Sequence, residues 1–107
     1  KMVNLYLQRM EKQIKKGWSK PPQTKQAFSG IIKFTLTPYG KLTDAYIYLG
    51  SGNPILDRSA LDAVKRVERF AVPESVVVAA KYYNALRFHY SSHEFKGESI
   101  PLIPHSQ

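Results

Sequence analysis

The stretch LGSGNPILDRSAL, residues 49–61, holds the residue types that cradle a phosphate: Gly50 and Gly52 around Ser51, then Asn53, Pro54 and Asp57. Such loops aim backbone N–H groups at an anion from the start of a helix. Glycines alone do not make one. A P-loop needs a lysine and a hydroxyl after them, and a dinucleotide turn needs a third glycine in fixed register. Neither pattern is present, so the stretch is expected to be a sharp strand-to-helix exit. The glycines then allow unusual backbone angles, Pro54 opens the helix, and Asn53 or Asp57 caps it.

The other reactive side chains are thinly spread. His89 and His93 stand four apart, on a strand and its end, with no third His or Cys beside them, which argues against zinc. The chain has no cysteine, so thiolate ligands and a cysteine nucleophile are excluded. Asp44, Asp57, Asp62 and Glu68 read as caps or exposed charges rather than an acid–base pair in a cleft. Ser51, Ser59 and Ser91 lack the setting of a nucleophile elbow. The expectation is a protein that is not an enzyme and uses no cofactor.

Charge points to binding. The net charge is +8, and residues 1–25 hold seven of the 16 Lys and Arg against Glu11 alone. Lys12, Lys15, Lys16 and Lys20 make a possible basic face suited to an anionic surface or an acidic partner. Tyr46, Tyr48, Phe88 and Tyr90 on strands of a basic chain are also the material of an RNA-stacking sheet. The Lys/Arg-Gly-aromatic signature of RNA-recognition sheets is missing, however, and strand aromatics commonly form core or cross-strand pairs. A basic nucleic-acid-binding module is kept as an alternative.

These residues must be placed by few elements, because 107 residues make one domain. Such a domain buries about two-thirds of its unfolded surface. No apolar run approaches the ~20 residues of a membrane span. The chain opens at Lys1 with no signal-peptide pattern, and the expectation is a C-terminal domain with its targeting segment upstream. Val3, Leu7, Met10, Ile14 and Trp18 form one helical stripe, which Gly17 weakens and Pro21 and Pro22 stop. From Ala27 the period becomes two: Phe28, Gly30, Ile32, Phe34 and Leu36 share one face. TPYGK is a tight reversal, and LTDAYIYL a second strand with Leu42, Ala45, Ile47 and Leu49 inward and a bulge between Leu42 and Ala45. Leu56, Ala60, Leu61, Val64 and Val67 predict a second helix that FAVP ends at Pro73. ESVVVAAKYYNA is read as a short helical turn leading into a strand in which Leu86, Phe88 and Tyr90 alternate with Arg87 and His89. SSHEFKGESIPLIPHSQ reads as a partly ordered extension.

The order helix, strand, strand, helix, strand predicts an α+β layer pair: a three-stranded antiparallel sheet with two helices packed on one face. The domain is taken as residues 1–95 and the extension as 96–107. A three-stranded sheet cannot close, and its edges carry unpaired N–H and C=O groups. The last strand, Asn84 to Ser92, is expected to be such an edge and to accept an extended peptide. The backbones of Asn84, Ala85, Leu86, Arg87, Phe88, His89, Tyr90, Ser91 and Ser92 would pair with it, with Arg87 and His89 selecting on the exposed face. A structural domain dimerising through two such strands is the other alternative, so the expected state is a monomer or weak dimer.

From Ile14 to Phe88 the chain resembles the C-terminal domains of the TonB and TolA energy-transducing proteins. The resemblance rests on IKKGWSKPP, IIKFTLTPYGKL, YIYLGSGNPILDRSALDAVKRVERF and ALRFHY, about three-quarters of the chain. The most specific piece is SGNPILDRSALDAV, the stretch that looked like a phosphate turn. Trp18 before two prolines and the approach YYNALRF are closer to TolA. TonB domains often carry a Tyr-Pro pair before the first strand, and none is found here; PLIPHSQ matches neither branch. The resemblance implies a periplasmic domain at the end of a protein anchored in the inner membrane by one upstream helix. It implies coupling of the proton motive force, through ExbB/ExbD or TolQ/TolR, to an outer-membrane receptor's TonB box or a TolB-like or Pal-system segment. It also implies that the domain does no chemistry and grips its partner by strand addition at the third strand.

Overall fold

A computed structural model describes residues 2–22 and 25–100. The side chain of Val3, the first of the helical stripe, and residues 101–107 of the tail lie outside the described residues. α1 (Met2–Lys16) buries Leu7, Met10 and Ile14 and turns Lys12, Lys15 and Lys16 to solvent. It stops where Gly17 and Trp18 donate their N–H groups back to Ile14 and Lys15, each at 3.2 Å, before the prolines that cannot continue the ladder. β1 (Ser29–Leu36) buries Gly30, Ile32, Phe34 and Leu36 in alternation, and a turn with Gly40 at φ +89 leads to β2 (Leu42–Leu49). α2 (Pro54–Lys65) follows, then α3 (Val76–Tyr82), β3 (Ala85–Ser91) and β4 (Phe95–Ile100).

The four strands form one antiparallel sheet in the order β2-β1-β3-β4. Ile32 faces Phe88 and Phe34 faces Leu86 across the central pair, so their side chains share one face. α1 and α2 cover that face, α1 beside β4 and α2 beneath β2 and β1. Phe34 stacks between Phe70 at 5.0 Å and Phe88 at 5.2 Å. Each such buried ring contributes about 1.5–3 kcal/mol. The opposite face of the sheet bears Lys33, Tyr46, Tyr48, Arg87 and His89 and carries no helix among the described residues.

The α+β layering with two helices on one face stands, but the sheet has four strands and a third, short helix precedes β3. Residues 96–100, expected in the extension, belong to β4, so the boundary after residue 95 cuts through a strand of the sheet. α2 ends at Lys65 and not near Pro73, because Phe70 leaves the helical path to stack on Phe34 and its N–H goes to the Gly40 carbonyl at 2.8 Å. The expected bulge is present between Thr35 and Leu36. A second register shift between Ile31 and Ile32 turns Leu49 outward, where it is 56% exposed.

Candidate partner-binding site

Asn84 leads into β3. Its carbonyl accepts the Leu36 N–H at 2.8 Å, which fixes where β3 begins against the end of β1. Along β3, Leu86, Phe88 and Tyr90 are buried, while Arg87 and His89 face the open side. The alternation is the expected one. The edge is not. One side of β3 pairs with β1 from Ser29↔Ser91 to Thr35↔Ala85, and the other with β4 from Ala85↔Ile100 to Tyr90↔Phe95. Residues 84–92 therefore do not form a sheet edge: the chain's own tail holds that place. A dimer through two paired third strands is closed off by the same strand. Ser92 lies in the β3–β4 turn, where Ser91 donates its N–H to the Glu94 carbonyl at 3.0 Å and accepts the His93 and Glu94 amides on its hydroxyl.

The contacts that hold β4 differ on the two faces. On the core side Phe95 is 2% exposed and meets the Trp18 ring edge-on at 4.9 Å. Trp18 bridges onward, donating its indole N–H to Ser59 Oγ at 3.0 Å. On the open side Glu98 accepts from Arg87 Nε at 2.7 Å and lies 3.4 Å from His89 Nε2. The Arg87 hydrogen bond holds the Glu98 carboxyl below its usual range; partial burial opposes this, and His89 adds to it. Lys33 stands opposite Arg87 on β1, a like-charge pair eased because Lys33 turns its ammonium over the Tyr48 ring and Glu98 answers Arg87. At β4's outer side, Gly97 donates its N–H to Glu11 Oε2 of α1 at 2.9 Å. β2 at the far side of the sheet has no strand beyond it among the described residues.

The glycine-rich stretch is a structural turn. Asn53 Oδ1 caps α2, accepting the Ile55 and Leu56 N–H groups at 3.0 and 3.2 Å, and Gly52 takes φ +92. Asp57 Oδ1 accepts from the Ser51 amide at 3.0 Å and from the Ser51 and Tyr90 hydroxyls at 2.6 Å each. Burial raises the Asp57 pKa, but these donors together outweigh it and leave the carboxyl below its ordinary value. Burial, then the bond to Asp57 and its charge, push the Tyr90 hydroxyl up. The turn thus ties the exit of β2 to β3, and Ser51's proton is committed to a carboxylate.

Of the four strand aromatics, Phe88 and Tyr90 are core residues, and Tyr46 and Tyr48 remain exposed, with Lys33 Nζ 3.7 Å from the Tyr48 ring centroid. Lys12, Lys15, Lys16 and Lys20 are exposed, and Lys20 Nζ lies 5.9 Å from the Trp18 ring. The sequence reading missed Phe95, Gly97 and Glu98. The signal available was an acid and an aromatic spaced to meet Arg87 and Tyr90 after a Ser-Ser-His turn. The TonB C-terminal family matches residues 3–88, which leaves β4 outside the matched span. No curated protein matches the chain. Among solved structures, the chain is similar to TolAIII, solved by NMR bound to a peptide derived from the N-terminus of TolB. The TM-score is 0.63 at 24% identity, over 75% of this chain and 66% of that one, a little under two-thirds of its length. That likeness speaks for the fold. The family match, over most of the chain and through every element up to β3, decides the membership: this protein belongs to the TonB C-terminal family.

Proposed function

We propose that this is a periplasmic partner-binding domain that takes up an extended peptide as a strand beside β3, with β4 giving way to it. The observation that carries the reading is the β3–β4 ladder. This flank of β3 takes an antiparallel strand over six consecutive residue pairs, from Ala85↔Ile100 to Tyr90↔Phe95. Backbone pairing of this kind supplies affinity, and the alternate side chains supply choice. The peptide bound to TolAIII favours a TolB-like segment as the partner; a receptor's TonB box is the other branch. Through an upstream membrane anchor and ExbB/ExbD or TolQ/TolR, the domain passes the proton motive force to the outer membrane without chemistry of its own. The basic face of α1 meets peptidoglycan, lipid headgroups or an acidic partner while load is carried.

The test is an amide-shift titration of the labelled chain with a TonB-box peptide and a TolB N-terminal peptide. The expected result is shifts centred on Asn84 to Ser92 with one peptide, together with loss of the β3–β4 cross-strand contacts. No change in that segment at millimolar peptide and low salt would end the strand-addition reading.

A further inference from the structure

We propose that β4 is the template for the partner: β3 selects an antiparallel segment reading aromatic, any residue, glycine, acid, the pattern of Phe95, Lys96, Gly97 and Glu98. This deepens the strand-addition reading and rests on it. Three positions carry it. The first is the slot of Phe95, closed by the Trp18 ring at 4.9 Å and the Tyr90 ring at 6.4 Å, which takes a flat apolar ring. The second is Gly97, paired with Phe88. A Cβ there falls inside the contact distance of the Phe88 ring. Phe88 is fully buried and stacked on Phe34, so it has no room to yield.

The third position faces charge. With β4 gone, Arg87 and His89 are left on the open face with no acid among the residues paired to them there, while Lys33 on β1 keeps its Nζ over the Tyr48 ring of β2. An incoming carboxylate opposite Arg87 restores the bond that Glu98 makes. A basic residue in its place meets Arg87 and His89, the two groups that Glu98 contacts. Glu11, by contrast, receives a backbone N–H at Gly97, a contact any extended chain can make. It adds affinity and no choice. The partner is thus an acidic, glycine-containing extended segment led by an aromatic residue.

The experiment uses the full chain carrying Glu98→Lys, an exposed change that loosens β4 and leaves the core side chains in place. The probes are a peptide with the sequence of residues 94–101, a second with its Gly changed to Val, and a third with its second Glu changed to Arg. Binding is read from the amide shifts of residues 85–91 and from emission of Trp18, the sole tryptophan. The parent peptide is expected to bind, the Val peptide about tenfold more weakly or worse, and the Arg peptide about threefold more weakly at low salt. Equal affinity for all three overturns the template while leaving strand addition standing. No binding by any of them, with the amides of 95–100 seen to exchange freely, overturns both. A chain that pairs with a second copy instead, detected as a dimer by light scattering, overturns the claim of a foreign partner. Arg87→Glu in the full chain is the independent check: it inverts the preference toward the Arg peptide, and an unchanged order refutes the charge rule.

Discussion

Asp57 receives donors from two elements at once, Ser51 before its own helix and Tyr90 on β3, so one carboxylate links the start of α2 to the sheet. Tyr90→Phe keeps the buried ring and removes only the hydroxyl. A hydrogen bond to a charged group is worth about 1.5–3 kcal/mol, and with Ser51 still bonded the expected loss at pH 7 is about 1.5 kcal/mol by urea unfolding. The pH dependence has a defined sign. The Asp57 pKa lies below its ordinary 3.8 in the fold, so its contribution is complete above that value and fades as pH falls through the folded one. The Tyr90 hydroxyl is raised above its ordinary 10.0, so its contribution is complete below pH 10.0 and fades as pH rises past it. Tyr83, pushed up to about 12 by burial and then by nearby Tyr6, behaves in the same way. The Phe variant should therefore show shallower acid and alkaline limbs, with the Tyr83 part of the alkaline limb retained. Limbs as steep as those of the parent chain would show that the Tyr90–Asp57 bond carries no linkage.

β4 is fastened mainly by one ring, and Phe95→Ala is expected to destabilise the chain by about 3 kcal/mol. It should also shift Trp18 emission to the red, since Phe95 packs edge-on against that indole. A loss below about 1 kcal/mol, against the 3–5 kcal/mol usual for removing a buried aromatic, would mean that β4 lies on the sheet without being packed into it. The elements that could be read in the sequence are those whose apolar residues repeat: Leu7, Met10 and Ile14 in α1, Ile32, Phe34 and Leu36 in β1, Leu86, Phe88 and Tyr90 in β3. β4 has no such repeat. Its inward row is Phe95, Gly97 and Ser99, which reads as loop composition. Gly97 is a strand residue because Phe88 lies under it, and Glu98 has a role because Arg87 lies beside it. Both reasons exist only after the strands are side by side. The same holds for the site: the two-residue alternation identified which side chains of β3 face outward, but an edge is defined by its neighbours. The end of α2 was hidden likewise, since the pull on Phe70 comes from Phe34 and Gly40, far away in sequence.

The sheet order puts β1 and β3 at the centre, joined across most of the sequence, and leaves β2 and β4 outside. The two outer strands are not equally held. β2 is bounded by the Gly40 turn at one end and by the Ser51–Asp57 turn into α2 at the other, so it cannot leave without disturbing both. β4 follows β3 through the short turn after Ser91 and is held further by Phe95 on Trp18, Gly97 on Glu11 and Ser99 on the Tyr82 carbonyl. Freeing it exposes Phe95, at about 1.5–3 kcal/mol, and breaks its ladder and its bonds to Glu11, Arg87 and the Tyr82 carbonyl, at about 1 kcal/mol net per bond. Against this, its six residues regain about 1–2 kcal/mol each of backbone entropy. The difference is small beside a global stability of about 5–15 kcal/mol, so β4 should open on its own. Native-state hydrogen exchange reads this directly. Amides of β4 that bond to β3 are expected to exchange by an opening that responds weakly to denaturant, whereas the amides shared by β1 and β3 should exchange only with global unfolding. If β4 and β1 amides instead share one free energy and one denaturant slope, β4 cannot give way without unfolding the domain, and an incoming strand would have to seek the outer side of β2.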